Sequence, residues 1–221
     1  MQPYPLAMRQ TFHAELDTLI GDLARMARLT GQMMTNASTA LHHADLGLAE
    51  LVISGEEEMK ALREDVDQRC LQLLVLQAPV ATDLRVVVVA MHAVGDLERM
   101  GYLAQHIAKI ARLKHPAVPV PADVRPVFAR MSMLAAGLAE DAARAIESKD
   151  SLSGERLAGV DDEVDALRRR IFHILFAEDW SHGVEPAVDA ALIGRYYERF
   201  ADHAVAIARQ VGFLVTGELS S

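Results

Sequence analysis

The chain has 221 residues, of which 51% are apolar and only 5% aromatic, a balance that favours helices packed on helices over a sheet sandwich. Its 31 acidic and 22 basic residues give a net charge of −9, which argues against nucleic acid and anionic membrane as direct partners and is compatible with cations. The single cysteine, Cys70, cannot form an internal disulfide, which favours a reducing compartment. No signal peptide is predicted, and the longest apolar run, 86–95, is too short to span a bilayer, so we expect a cytoplasmic protein.

Helical periodicity runs through most of the chain, and prolines and aspartate caps divide it into six segments. Asp45 and Asp150 stand where the second and fifth segments begin, and the proline-rich stretch 115–121 separates the third from the fourth. The β-branched residues 86–89 could form a strand, but they continue into a strong helical pattern and have no second strand to pair with. The six predicted helices are 9–44, 45–77, 82–114, 122–149, 150–179 and 187–217.

Two sequence frames recur in the two halves of the chain. The frame around Glu98-Arg99 returns 100 residues later around Glu198-Arg199, and the frame that begins at Asp45 returns 105 residues later at Asp150. An internal duplication of this length implies two copies of one structural unit. We therefore predict an all-α fold of two tandem, similar three-helix bundles with six long antiparallel helices. The predicted organisation is an N-terminal extension (1–8), a first bundle (9–114), a linker (115–121) and a second bundle (122–217).

The two copies differ in their carboxylates. Copy two carries Asp161, Asp165, Glu198 and Asp202 at the places where copy one carries Glu56, Lys60, Glu98 and Tyr102. Each acidic pair of copy two is spaced i,i+4 and shares one helix face, at a cost of about 0.2–0.5 kcal/mol in charge repulsion. A single pair of this kind is ordinarily solvated charge. Two pairs on helices that are expected to touch indicate a site for Mg²⁺, Mn²⁺ or Ca²⁺, or for iron or zinc where histidine is near.

The helical geometry of the last segment yields three further expectations. We expect Glu198 and Asp202 to point away from the core stripe of their helix, towards solvent. His203 lies about 100° around the helix from Asp202, and we expect a surface residue there rather than a ligand. Neither Glu98 nor Glu198 is followed by histidine at i+3, which disfavours a buried di-iron centre of the ferritin type.

Copy one serves as an internal control for the metal hypothesis. Lys60 and Tyr102 replace two of the four anionic ligands, and the lysine adds a positive charge of its own. We expect the Lys60 ammonium to pair with Glu56 or Glu98. A metal site in copy one is therefore predicted to be weak or absent, so that Glu56 and Glu98 form only a degenerate counterpart of the copy-two site.

No standard catalytic motif is present, since the chain lacks a phosphate-binding glycine loop, HExxH and GxSxG. Cys70 lies among leucines and is predicted to fill the core rather than to act as a nucleophile. Arg99 and Arg199 follow the repeated glutamates, and we expect them to form structural ion pairs. The sequence alone therefore favours a protein that is not an enzyme.

Four motifs, found in the same order along the chain, resemble the PhoU family of phosphate-signalling proteins. They are QAPVATDLR (77–85), DLERMGYLAQHIAKIA (96–111), VDDEVDAL (160–167) and YYERFADHAVAIA (196–208). The resemblance implies two similar three-helix bundles and E(D)xxxD motifs that bind a multinuclear cluster of divalent metal, iron or zinc. Asp161-x-x-x-Asp165 and Glu198-x-x-x-Asp202 match that motif, whereas the copy-one stretches depart from it.

The resemblance also implies a regulatory role, carried out in the cytoplasm by a homodimer. Such a protein would act between a phosphate ABC transporter, through its ATPase, and a sensor histidine kinase. It would restrain phosphate uptake and the phosphate-starvation response, and it would reach the membrane only through these partners. Two other interpretations stay open: a carboxylate-bridged metal-binding enzyme or metal-storage helical protein, and a purely structural helical scaffold.

Overall fold

The computed structural model describes residues 6–77 and 79–218, and within them it contains helices and no strand. The all-α prediction is confirmed, including the helical interpretation of 86–89. Of the predicted N-terminal extension, residues 1–5 lie outside the described residues, and 6–8 are already helical. The helices are α1 (Leu6–His43), α2 (Leu46–Ser54), α3 (Glu56–Gln77), α4 (Ala81–Lys114), α5 (Arg125–Ser148), α6 (Ser153–Leu175) and α7 (Val184–Thr216).

The predicted second helix is divided at Gly55 into α2 and α3. Asp45 caps α2 as expected, because its Oδ1 accepts a hydrogen bond from the Leu48 N–H at 3.0 Å. The Gly55 N–H donates to the Leu51 carbonyl at 3.2 Å, and the Met59 N–H donates to the Gly55 carbonyl at 3.1 Å. Helical hydrogen bonds thus continue on both sides of the glycine, whose weak helix propensity locates the interruption. With α2 and α3 taken together, the described residues form six long helices, as predicted.

The helices form two groups of three that share one core. The first group is α1, α2–α3 and α4, the second is α5, α6 and α7, and across the boundary α1 packs on α5 and α4 packs on α7. Buried apolar side chains of both groups belong to a single cluster, including Leu97, Met100, Phe128, Tyr197 and Phe200. The two copies therefore stabilise each other by burial of apolar surface along two helix pairs. The domain boundaries given above stay a prediction.

The antiparallel contact between α4 and α7 contains a polar cluster. Asp96 accepts a hydrogen bond from Gln210 Nε2 at 2.8 Å and lies 2.9 Å from His203 Nδ1. Further along the same pair, the rings of His106 and Tyr196 stack with their centroids 5.0 Å apart. The expectation that His203 is a surface residue is wrong, because its side chain is only 17% exposed and lies between the two bundles.

Candidate functional site: a carboxylate groove between α6 and α7

Close approach of α6 and α7 sets the register of the groove between them. Ser153 Oγ donates to the Ala208 carbonyl at 3.4 Å, and a Cβ added at Gly194 would lie 3.0 Å from Ile171 Cδ1. The two helices are therefore antiparallel, and a side chain at position 194 would require the Ile171 side chain to shift. In this register the first acidic pair, on α6, lies opposite the second, on α7. The four predicted carboxylates thus occupy one groove, here named the copy-two groove: Asp161, Asp165, Glu198 and Asp202.

Asp161 is the electrostatically strained member of the copy-two groove. Its Oδ1 atom is buried and has no hydrogen-bond partner in the described part of the chain. Burial, followed by the negative charges of Asp202, Asp165, Asp162 and Glu198, raises the pKa of Asp161 to about 6. A carboxylate without a partner among other carboxylates is a group that a cation would stabilise.

Glu198 lies inside the groove rather than on the solvent face, so the expectation that it points away from the core is wrong. The residue is 8% exposed. Helix α7 packs against three other helices, so the arc of α7 that is buried is wider than a single apolar stripe. The charge of Glu198 is balanced by Arg195, which donates hydrogen bonds to both carboxylate oxygens, and by Arg168, whose Nη1 lies 3.8 Å from Oε1.

The two remaining carboxylates are more accessible. Asp202 is exposed, as expected, and lies 3.9 Å from Arg199 in a solvent-exposed ion pair. Asp165 is half-buried. With the side chains in these positions, no group of three or more His, Cys, Asp or Glu among the described residues is arranged to hold a metal ion. The role of the four residues as metal ligands stays a prediction.

The equivalent groove of copy one lies between α3 and α4 and is here named the copy-one groove. Its buried glutamate, Glu98, accepts a hydrogen bond from Arg63 on α3 and a longer one, at 3.4 Å, from the Tyr102 hydroxyl. Burial and the charge of Glu98 raise the pKa of Tyr102. The expectation for Lys60 is wrong, because this exposed lysine lies 4.0 Å from Glu64, whereas Arg63 supplies the cation to Glu98. Glu56 is exposed at the start of α3.

Sequence reasoning missed the arginines that face the buried glutamates. Arg63 and Arg168 occupy the same place in the frame repeated at an offset of 105, one residue after Leu62 and Leu167. Their recurrence in both copies was a usable signal, because a repeated glutamate on the neighbouring helix needs a repeated cation. The adjacent Glu-Arg dipeptides instead indicated Arg99 and Arg199, neither of which pairs with Glu98 or Glu198 among the described residues.

Cys70 belongs to the core, as predicted, and not to either groove. It is fully buried, and burial raises the pKa of its thiol to about 11. A thiol with so high a pKa carries almost no thiolate near neutral pH and is a poor nucleophile.

Comparison with known proteins relates this architecture to one family. The family model described as the PhoU domain matches twice, at residues 23–111 and 128–211. The chain belongs to the PhoU family. The two matched stretches correspond to the two helix groups that share the core, so the family's repeat unit and the observed duplication agree.

Curated PhoU relatives match over nearly the whole chain. The phosphate-specific transport system accessory protein PhoU homolog 2 of Mycobacterium tuberculosis is 44% identical over 210 residues, which are 95% of this chain and 99% of that protein. The Synechocystis homologue with the same accessory-protein name is 33% identical, over 95% of this chain and 93% of its own length.

Solved PhoU structures share the fold. The crystal structure of PhoU from Pseudomonas aeruginosa superposes with a TM-score of 0.86 at 25% identity, over 94% of this chain and all of that one. The phosphate transport system regulatory protein PhoU from Streptococcus pneumoniae superposes with a TM-score of 0.85 at 24% identity, over 95% of this chain and 99% of that one.

Among the described residues, no helix combines the length and apolar character that crossing a membrane requires.

Proposed function

We propose that this PhoU-family protein is a cytoplasmic regulator of phosphate homeostasis. It restrains phosphate uptake and the phosphate-starvation response by contacting both the ATPase of a phosphate ABC transporter and a sensor histidine kinase. The observation that carries the proposal is the match, at 44% identity over 95% of the chain, to a protein named as an accessory of a phosphate-specific transport system. The acidic surface, with a net charge of −9, fits contact with protein partners better than contact with nucleic acid.

Deletion of the gene tests the regulatory half of this proposal. A transcriptional reporter of the starvation response should be switched on at high phosphate in the deletion strain and silenced again by the wild-type gene. A reporter that stays off at high phosphate after deletion would contradict negative regulation.

The bridging half is tested by affinity purification from cells grown at high and at low phosphate. We expect the tagged protein to retain the kinase and the transporter ATPase, with recovery that depends on the phosphate supply. Recovery of neither protein under either condition would refute the bridge, even if the reporter responds. We also propose that the protein is a homodimer, and sedimentation of the purified chain tests this.

We further propose that the copy-two groove binds a cluster of divalent cations or of iron or zinc. The donor set fits, because four carboxylates offer hard oxygen ligands and the buried Asp161 Oδ1 has no hydrogen-bond partner among the described residues. Asp161, Asp165, Glu198 and Asp202 would hold the metal, once Arg195 and Arg168 release Glu198. Bound metal would supply positive charge that ties α6 to α7.

Metal content provides the test of this second proposal. Elemental analysis of the purified protein should detect metal that is lost in Glu198→Gln and Asp202→Asn. Equal metal content in the variants and the wild type would refute the site. Unpartnered in the described part of the chain, the Asp161 carboxylate oxygen also supports a second candidate function, that of a metal-dependent enzyme. If the protein has hydrolytic or oxidative turnover and Asp165→Asn abolishes it, that result would favour the enzyme over the regulator.

A further inference from the structure

A cavity of about 640 Å³ lies at the C-terminal end of α6, beyond the carboxylates, and its volume is within the size range of small-molecule sites. One wall is the last two turns of α6, the other is the α6–α7 connection, and Asp123 closes it from the segment before α5. Neither the family resemblance nor the copy-two groove accounts for this cavity.

The α6 wall presents an arginine and a histidine that have no hydrogen-bond or ion-pair partner among the described residues. Arg170 and His173 are spaced i,i+3, so both lie on one face of α6, and both line the cavity. Within the described residues, neither forms a hydrogen bond or an ion pair. The preceding Arg168 is already directed towards Glu198. In a chain of net charge −9, an arginine beside a histidine with no acidic partner is an available anion-binding pair.

The opposite wall is aromatic and held in place. Trp180 donates from Nε1 to the Gly183 carbonyl at 2.9 Å, and its ring meets that of His182 edge to face at 4.7 Å between centroids. His182 Nε2 lies 2.6 Å from Asp123 Oδ2, so the Asp123 carboxylate is engaged. Asp179 also lines the cavity but, among the described residues, has no hydrogen-bond or ion-pair partner, which leaves its oxygens as acceptors for a ligand.

Copy one provides a control for this site too. At the offset of 105, Arg170 corresponds to Asp65 and His173 to Gln68. The Arg170–His173 pair is therefore a property of copy two alone and is not required by the shared helical scaffold. A purely structural role for the pair would be expected to recur in both copies.

We propose that this cavity binds a small phosphate ester that carries a planar ring, such as a nucleoside monophosphate. Arg170 and His173 donate to the phosphate oxygens, because arginine matches phosphate with parallel N–H donors. Trp180 offers an apolar surface to the ring. Asp179 accepts hydrogen bonds from amino or hydroxyl groups of the ligand. Because inorganic phosphate has no ring to place against Trp180, the site favours the ester over inorganic phosphate, with which it shares the phosphate contacts.

Isothermal titration of the full chain with AMP and, separately, with inorganic phosphate tests the proposal. We expect binding of AMP, weaker or undetectable binding of phosphate, and a loss of AMP affinity of about tenfold or more in Arg170→Gln. His173→Gln, which installs the copy-one residue, should also weaken binding. Arg169→Gln is the matched control, because Arg169 is the neighbouring arginine and does not line the cavity.

Every outcome of the titration either supports or contradicts the proposed site. If phosphate binds, AMP does not, and Arg170→Gln abolishes the binding, the ligand is inorganic phosphate. This outcome would support the anion contacts and refute the ring contact with Trp180. Absence of binding by both ligands at millimolar concentration, or equal losses in Arg170→Gln and Arg169→Gln, would overturn the site. The titration uses neither transporter nor kinase, so its failure would leave the proposed regulatory function untouched.

Discussion

The copy-one and copy-two grooves are built from the same repeated frame, but the charge of the buried glutamate is balanced differently in each. In copy one, Glu98 is matched by Arg63 from the neighbouring helix and by the Tyr102 hydroxyl. In copy two, Glu198 draws most of its charge balance from Arg195 on its own helix, and Arg168 stays at 3.8 Å. Position 95, the copy-one equivalent of Arg195, is a glycine.

The difference shows how a duplicated scaffold can separate stability from binding. The copy-one groove is electrostatically complete, because every buried charge has a direct partner there. The copy-two groove retains, within the described part of the chain, a carboxylate oxygen on Asp161 that has no hydrogen-bond partner and a cluster of negative charges around it. Such an arrangement costs folding free energy and is stabilised by an added cation.

The largest expected effect comes from converting the copy-two groove into its copy-one equivalent. The double substitution Asp165→Lys and Asp202→Tyr removes two anionic ligands and adds a positive charge. We expect Mn²⁺ affinity, measured by titration, to fall about 100-fold or more, since ligand removal exceeds the effect of changing residues that only orient ligands. The matched control is Lys60→Ala with Tyr102→Phe, the same positions of copy one, which should leave Mn²⁺ affinity unchanged. Equal losses in both double variants would remove the distinction between the grooves.

Loss of the cross-helix arginine should affect the two copies unequally. Arg63→Ala leaves Glu98, which is 9% exposed, without its cation, and should lower the free energy of unfolding by about 2 kcal/mol. Arg168→Ala should cost about 1 kcal/mol, because Glu198 keeps Arg195. Urea denaturation of the metal-free proteins measures both values.

The combined variant Arg63→Ala with Glu98→Gln checks the cause of that loss. It should recover much of the lost stability, because the uncompensated buried charge is then absent. Failure to recover would mean that Arg63 acts through packing of its stem rather than through its charge. Equal losses from Arg63→Ala and Arg168→Ala would contradict the asymmetry itself.

Asp161 should make the stability of the metal-free protein depend on pH. Its pKa of about 6 in the folded state lies above the ordinary value of 3.8, so the folded protein binds this proton more tightly than the unfolded chain does. The associated stability is fully present below about pH 4 and is lost as pH rises to about 6. Asp161→Asn should therefore stabilise the protein by about 1 kcal/mol near pH 7.5, a figure reduced for partial exposure, and by nothing near pH 4.

Asp162→Asn is the control for this measurement, since Asp162 is the exposed neighbour on the same helix. Its effect on the free energy of unfolding should be small and similar at both pH values. A stabilisation by Asp161→Asn that persists at pH 4 would show that the gain does not come from titration of the carboxyl group.

Most of the fold could be predicted from the sequence, because the features that mark helix ends are local in the chain. Prolines, the Asp45 cap and helical periodicity mark most helix ends to within a few residues, and the duplication predicts two equal groups of helices. The division at Gly55 was not predicted, because a single glycine inside a helical pattern is usually tolerated.

The sequence predicted which acidic residues form the candidate site, but not which arginines pair with the buried glutamates. The repeated frames brought together all four acidic residues. The assumption that α7 buries only one apolar stripe, however, led to the wrong predictions that Glu198 points to solvent and that His203 lies at the surface. Both errors have one cause: α7 is enclosed by α4, α5 and α6, and the number of neighbours of a helix is a tertiary property that helical periodicity does not contain. The pairing of Arg63 with Glu98 also depends on packing, because it crosses from α3 to α4. Arg195, by contrast, lies i,i+3 from Glu198 on one helix and was a local signal that went unused.

The smallest expected effect concerns the arginines that the sequence made most conspicuous. Arg199 lies 3.9 Å from Asp202 with both side chains more than 40% exposed, at 47% and 44%. An exposed ion pair at this distance is worth at most about 0.5 kcal/mol, because water and salt screen it. Arg199→Ala should therefore change the free energy of unfolding by less than about 0.5 kcal/mol, and raised salt should erase the change. A larger loss would mean that Arg199 also neutralises the buried carboxylates, and the copy-two groove would then be as fully compensated as the copy-one groove.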